Sequence, residues 1–255
     1  MRLKVEFSYL GKNFFGYQIQ DGKVTIQGEI EKVLNEFFGS KISFIASGRT
    51  DAGVSAIKQV GHFDIEDEVL LAKIKDVSKK ELDGLVIRLN YLFDSYIKFL
   101  NIVKANDDYH ARFSAKRKTY FYNFYVSKNE IPYFSQFALW IKNELDINAM
   151  NEAIKYFIGE HDFSAFCASN TEVVDKVRKI YEASIIYNEM GFFSVKITGN
   201  GFLYNMIRII VGTLIEVGRG KIKPEDIKKI ILAKNREKAG KTISAIGLVL
   251  GSVIN

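Results

Sequence analysis

An arginine and an aspartate stand two residues apart in Ser47-Gly48-Arg49-Thr50-Asp51-Ala52-Gly53-Val54. The segment lies between a short apolar run, Ile42 to Ala46, and a strand-like stretch near Gln59 to Ile65. Glycines on both sides of Arg49-Thr50-Asp51 let the backbone bend sharply and let a ligand come close. An aspartate on such a loop is ionised near neutrality, its reference pKa being about 3.9. It can act as a nucleophile or stabilise a sugar cation, as carboxylates do in glycosidic chemistry. Arg49 can grip a phosphate or fill the gap left by a flipped base. The same residues also suit a surface Asx-turn with an ion pair, and the loop by itself leaves both readings open.

Further residues can carry chemistry. Arg208 stands among Met206, Ile207, Ile209, Ile210 and Val211. A charge there is costly unless it meets a carboxylate or phosphate, or unless its stem carries the guanidinium to water. Tyr120, Tyr122 and Tyr125 follow a basic run, Arg112, Lys116, Arg117 and Lys118. Spacing does not single out one tyrosine, but the run suits a phosphate track. Lys221, Lys223, Lys228, Lys229, Lys234, Arg236, Lys238 and Lys241 form a second basic group that also reads as a solvated face. The histidines, His62, His110 and His161, have no two members at ligand spacing on one helix, so no metal is expected. His110 and His161 are expected to be hydrogen-bonded structural groups. Cys167, the one cysteine, cannot form an intramolecular disulfide, which points to a reducing, cytoplasmic setting.

The frame for these residues follows from apolar periodicity. Leu3, Val5, Phe7 and Tyr9 alternate as in a half-buried strand. Ile26, Ile30, Val33, Leu34, Phe37 and Phe38 share one face of a helix over Val24 to Phe38, with Gly39 closing it. Ile42 to Ala46 reads as a short strand, Val69 to Leu89 as partly helical, and Ser95 to Lys104 as extended. Strand and helix signals then begin again: a strand at Lys118 to Val126, an amphipathic helix at Ile147 to Ile158, and a hairpin of Val177 to Tyr187 with Phe192 to Thr198. The apolar run Phe202 to Val217 is broken by Asn205, Arg208 and Glu216, so it reads as a buried helix, not a membrane span. A short helix at Pro224 to Ala233 and a last strand at Leu248 to Ile254 follow. The expected class is α+β, in two related halves, 1–105 and 106–255, each a sheet flanked by helices, with a cleft between them as the site. An apolar share of 47% and a charged share of 26% fit a soluble globular protein. The net charge of +6 tilts the partner toward an anion such as nucleic acid. The charged start, Met1 to Glu6, lacks the apolar run of a signal peptide. Phosphate-loop and dinucleotide readings fail: Asn235 stands where the glycine before Gly240-Lys241-Thr242 is required, and Lys223 where Gly218-Arg219-Gly220 needs its third glycine.

Several blocks carry a resemblance across nearly the whole chain. They are Phe15-Gly16-Tyr17-Gln18, Thr25-Ile26-Gln27-Gly28-Glu29-Ile30-Glu31, the loop Gly48 to Val54, and Tyr109-His110-Ala111-Arg112-Phe113-Ser114-Ala115 with Tyr120-Phe121-Tyr122. Gly159 to Phe166 and Phe202 to Leu214 complete the set. In that order they resemble the bacterial tRNA pseudouridine synthase A family. The resemblance implies the pseudouridine synthase fold and a cytoplasmic homodimer. It implies an isomerase that converts uridines 38, 39 and 40 of the tRNA anticodon arm to pseudouridine, without cofactor or metal. By position in these motifs, Asp51 is the expected catalytic carboxylate. Arg49 is expected to intrude where the target base leaves its stack, and Tyr120 to pack on the target uracil. Arg208 and Leu248 match further pocket positions, and Arg208 is expected to pair with Asp51 and hold it ionised. Arg112, Lys116, Arg117 and Lys118 are expected to contact RNA phosphates.

Departures fall outside these assignments. Ser55 stands where such loops commonly carry His, Tyr17 where Trp is usual, and Phe93 where Pro is common, while Lys176-Val177-Arg178 lacks a Pro-Trp pair. They bear on loop geometry and substrate range. Two other functions compete: the same reaction on another RNA, and a tRNA-binding protein that remodels without chemistry.

Overall fold

The computed structural model describes residues 1–66, 74, 77–169 and 173–255. The chain forms two compact units, Met1–Lys116 with Leu250–Asn255, and Arg117–Val249. The division expected at residue 105 lies inside the first unit, and the last strand, assigned to the second half, ends in the first. The segment after residue 105 is tied back by specific bonds. Arg2 Nη1 donates to the carbonyls of Asp107 (2.8 Å) and Tyr109 (2.6 Å), and Ala111 N to His62 Nδ1 (3.2 Å). Lys116 N donates to Ile254 O at 2.8 Å.

In the first unit the elements run β1 (Arg2–Tyr9), α1 (Ile26–Phe38), β2 (Ile45–Ala46), β3 (Ser55–Asp64), α2 (Lys79–Leu92) and β4 (Ile97–Lys104). Strand β1 is central and antiparallel to both β3 and β4, with Val5 opposite Gly61 and Ile102. Its alternation is realised: Leu3, Val5, Phe7 and Tyr9 are buried. Helix α1 starts at Thr25, whose Oγ1 accepts from Gly28 N, and stops at Gly39 in the left-handed region. It buries Ile26, Ile30, Val33, Leu34 and Phe38. The core between helices and sheet is aromatic, with Phe44 stacked on Phe99 at 5.9 Å and edge-on to Phe7 at 5.2 Å. Phe93 joins it 4.9 Å from Phe99, so this departure fills core space at the end of α2. Of the helix expected from Val69, the part from Lys79 is present; residues 67–73 and 75–76 lie outside the described residues.

The second unit runs β5 (Arg117–Val126), β6 (Leu139–Ile141), α3 (Ile147–Ala153), β7 (Gly159–Asp162), β8 (Val177–Tyr187), β9 (Phe193–Gly199), α4 (Met206–Gly218) and α5 (Asp226–Ala233), before β10 (Leu248–Ile254). Antiparallel pairs join β5 to β9, β9 to β8 and β8 to β7, while β6 lies parallel to β5. The expected hairpin is the β8–β9 pair. The helix expected over Ile147 to Ile158 is α-helical to Ala153 and then tightens into a 3-10 turn over Ile154–Phe157. Helix α4 begins at Met206, not Phe202, because Asn205 takes a left-handed conformation (φ 58°) that no helix continues through. It buries Met206, Ile207, Ile209, Ile210, Val211 and Leu214. Among the described residues no helix is long and apolar enough to cross a membrane. The chain is α+β.

Candidate active site

The Asp51 loop leaves β2 and returns into β3, and buried polar groups fix it from behind. Ser47 Oγ donates to Gln59 Oε1 at 2.7 Å, and Gln59 Nε2 donates to Gly48 O at 3.0 Å. Gln59 Oε1 also accepts from Val60 N at 3.1 Å. On the other flank of Arg49, Thr50 Oγ1 shares a 2.8 Å hydrogen bond with Tyr9 Oη. Ser47, Thr50, Gln59 and Tyr9 are all buried. Buried polar groups are tolerable only when satisfied, so this set pins the backbone on either side of Arg49 and directly before Asp51. Burial pushes the Tyr9 phenol up to about 12, against the smaller opposing effect of its hydrogen bonds to Thr50 and Gln59; it stays neutral at physiological pH.

The loop then closes on itself. Val54 N donates to Asp51 O at 3.1 Å, with Gly53 at φ 81°, the conformation that the third position of such a turn demands of glycine. Gly11 packs so closely on the loop that a Cβ there would stand 2.0 Å from Val54 O. Its N–H donates to Ser55 Oγ at 3.0 Å, so the departure at Ser55 serves as an anchor. Tyr17 N donates to Thr50 O at 3.0 Å. The Tyr17 ring is buried, and its hydroxyl lacks a hydrogen-bond partner among the described residues, consistent with a position where an aromatic ring matters more than its polar tip. Within this frame Arg49 is exposed and Asp51 half-buried. A rigid backbone therefore presents two charged side chains at the surface of the first unit.

A second group forms within Arg117–Val249. Arg208, half-buried on the first turn of α4, donates from Nε to Ile243 O (2.7 Å) and from Nη1 to Asn205 Oδ1 (2.6 Å). Tyr122 Oη donates to Ser244 O at 2.7 Å. Arg208 and Tyr122 thus grip one loop, which leads into Leu248 at the start of β10. Burial raises the Tyr122 phenol far above its usual range, and the Arg208 charge only partly offsets this. The loop is fixed at its other end by Thr213 on α4, whose Oγ1 accepts from Gly240 N and donates to Ile209 O, both at 2.8 Å. Of the three candidate tyrosines, Tyr122 and Tyr125 are sealed in the core, while Tyr120 is half-buried and edge-on to Phe202 at 5.2 Å. Only Tyr120 of the three can meet a substrate without rearrangement. Leu248 is buried at 7% exposure.

The basic run is divided between the two units. Arg112 and Lys116 are exposed in the first unit, whereas Arg117 and Lys118 lie on β5 in the second, on alternate faces of the strand. Arg117 stacks over the Tyr181 ring at 4.7 Å and Lys118 is half-buried. Each histidine has a backbone partner: His62 with Ala111 N, His110 with Arg112 N, and His161 with Ile158 O. Burial pushes His62 down to about 4, helped by the positive charges of Arg2 and His110 and opposed by Asp64. Sequence reasoning missed Gln59 and Thr213, and it named Ser47, Tyr9 and Tyr122 without the supporting bonds they make. The available signal was a glutamine inside an apolar strand.

Known proteins are similar to this chain over its full length. A family model described as tRNA pseudouridine synthase matches residues 153–254. A protein of Bacillus licheniformis named tRNA pseudouridine synthase A is 44% identical, the match covering 100% of this chain and 99% of that one. Proteins of the same name are 43% identical in Bacillus subtilis, over 99% and 98% of the two chains, and 41% identical in Caldicellulosiruptor bescii, over 96% of each. Likeness at this level along the full length, including the segments that build both groups of side chains, shows that the chain belongs to the tRNA pseudouridine synthase A family.

Proposed function

We propose that this protein isomerises uridine to pseudouridine at positions 38, 39 and 40 in the anticodon arm of tRNA, with Asp51 as its catalytic carboxylate. The observation that carries the reading is the support around Asp51: a carboxylate beside anionic RNA is unfavourable for mere binding, yet here its backbone is anchored before it, at Ser47, Gly48 and Thr50, and after it, at Val54 and Ser55. The reaction breaks the bond between sugar C1′ and uracil N1, turns the base, and rejoins C1′ to C5. The proton displaced from C5 leaves to solvent and the freed N1 takes one up, so the product is an isomer: no electrons are exchanged and no group is imported.

The enzyme first draws the nucleotide out of its stack, at a cost of a few kcal/mol. Arg49 takes the space the base vacates, and Tyr120 stacks on the uracil, returning roughly 1–3 kcal/mol. Arg208 is the counter-charge that keeps Asp51 ionised, and Leu248 walls the uracil pocket. Arg112, Lys116, Arg117 and Lys118 contact phosphates. The enzyme works as a cytoplasmic homodimer without metal or cofactor. Release of tritium from 5-tritiated uridine in unmodified tRNA tests the reaction; binding without release by the wild-type protein supports a remodelling protein instead. Release from ribosomal or messenger RNA but not tRNA reassigns the substrate. A monomeric mass by light scattering contradicts the dimer, and undiminished release from Arg208→Ala contradicts its role as the counter-charge of Asp51.

A further inference from the structure

Phe113 is 78% exposed, although the turn that carries it is held by several hydrogen bonds. Residues 110–114 fold back on themselves: Ser114 N donates to His110 O at 2.8 Å, His110 N to Ser114 Oγ at 3.2 Å, and Arg112 N to His110 Nδ1 at 3.2 Å. Ala111, fully buried, donates its N–H to His62 Nδ1 at 3.2 Å, which fastens the turn to β3. The His110 ring lies 4.4 Å from the Phe113 ring at an interplanar angle of 31°, and it rests in turn on His62 at 5.0 Å. Arg112 places its guanidinium carbon 5.8 Å from the Phe113 centroid. The ring is therefore supported by one aromatic and flanked by one cation while most of its surface meets water. Single exposed apolar residues need no explanation. This one differs in being pre-set, so a planar group can stack on it with little loss of side-chain freedom.

We propose that Phe113 is a stacking platform for an unpaired nucleobase of the substrate tRNA, with Arg112 and Lys116 gripping the adjoining phosphates. The inference rests on the reading that the substrate is RNA. The exposed Arg112 beside the ring and the exposed Lys116 three residues on in the chain favour an anionic partner, and a base offers a π-face whatever its identity. The site names a contact separate from Tyr120, which receives the reacting uracil.

Binding of unmodified, in vitro transcribed tRNA to the full-length protein tests this, with Phe113→Ala, Phe113→Leu and Phe113→Tyr compared at fixed salt. Stacking predicts that Phe113→Ala and Phe113→Leu weaken binding by about 5- to 100-fold while Phe113→Tyr binds like wild type. The dependence of affinity on salt keeps its slope in all three, because no phosphate contact is removed. Wild-type affinity in Phe113→Leu overturns the proposal, since leucine keeps the apolar area but cannot stack. A change of molecular mass by light scattering in Phe113→Ala also overturns it, assigning the ring to contact between copies. Circular dichroism confirms folding of each variant. Because binding is read without turnover, the platform can fail while tritium release stands, and tritium release can fail while the platform stands.

Discussion

Gln59 has no reacting atom within its own chemistry, yet its amide bonds Ser47 Oγ, Gly48 O and Val60 N from a fully buried position. Replacing it by leucine keeps the volume roughly and strands those groups without partners. Gln59→Leu is expected to lower stability by about 2 kcal/mol, measurable by urea denaturation. It is also expected to cut kcat on tRNA about tenfold with tRNA affinity unchanged, because the loop it holds carries Asp51 while the RNA-facing cations are untouched. Equal losses in affinity and kcat contradict that division of labour. This residue also marks a limit of reading the chain alone. The pattern Gly48-Arg49-Thr50-Asp51 announces chemistry through its residue types, but a glutamine in an apolar strand signals only that a buried amide needs partners, and the fold decides which it meets.

At the scale of elements, α4 and β3 each hold a functional loop through one polar side chain. Thr213 on α4 satisfies Gly240 N, and Thr213→Val is expected to cost about 1–3 kcal/mol and to loosen the loop that Arg208 and Tyr122 grip. Thermal denaturation reads the first effect and reduced kcat the second. His62 on β3 makes stability depend on pH. The unfolded chain takes up its proton near pH 6.5 and the folded one only near 4, so the folded state loses ground as pH falls through that window and is unaffected above it. The expected loss by pH 4 is about 3 kcal/mol. His62→Asn keeps an acceptor for Ala111 N and should lack this slope; an unchanged slope in the variant assigns the effect to other groups. Element positions were largely legible, since β1, α1 and the β8–β9 hairpin follow apolar periods and cap residues that act locally. The missed boundaries have local causes too, as at Asn205, whose left-handed backbone removes the first turn expected of α4. The long-range bonds that draw residues 106–116 onto the first unit leave no periodic trace.

For the whole molecule, the net charge of +6 makes association with tRNA an electrostatic event. Affinity is expected to fall steeply with salt, and Arg112→Ala or Lys116→Ala to reduce the log–log slope by about one each. An unaltered slope for both removes them from the phosphate track. Asp51 and Tyr120 lie in different compact units, so no single stretch of the chain carries both, and the roles proposed for them come from the family resemblance and not from spacing. The central claim concerns the carboxylate alone. Tritium release from 5-tritiated uridine in unmodified tRNA, measured for the wild type and for Asp51→Asn at matched tRNA binding, tests it most directly. Release by the wild type and none by the variant is the predicted result, and release at wild-type rate from Asp51→Asn contradicts the account.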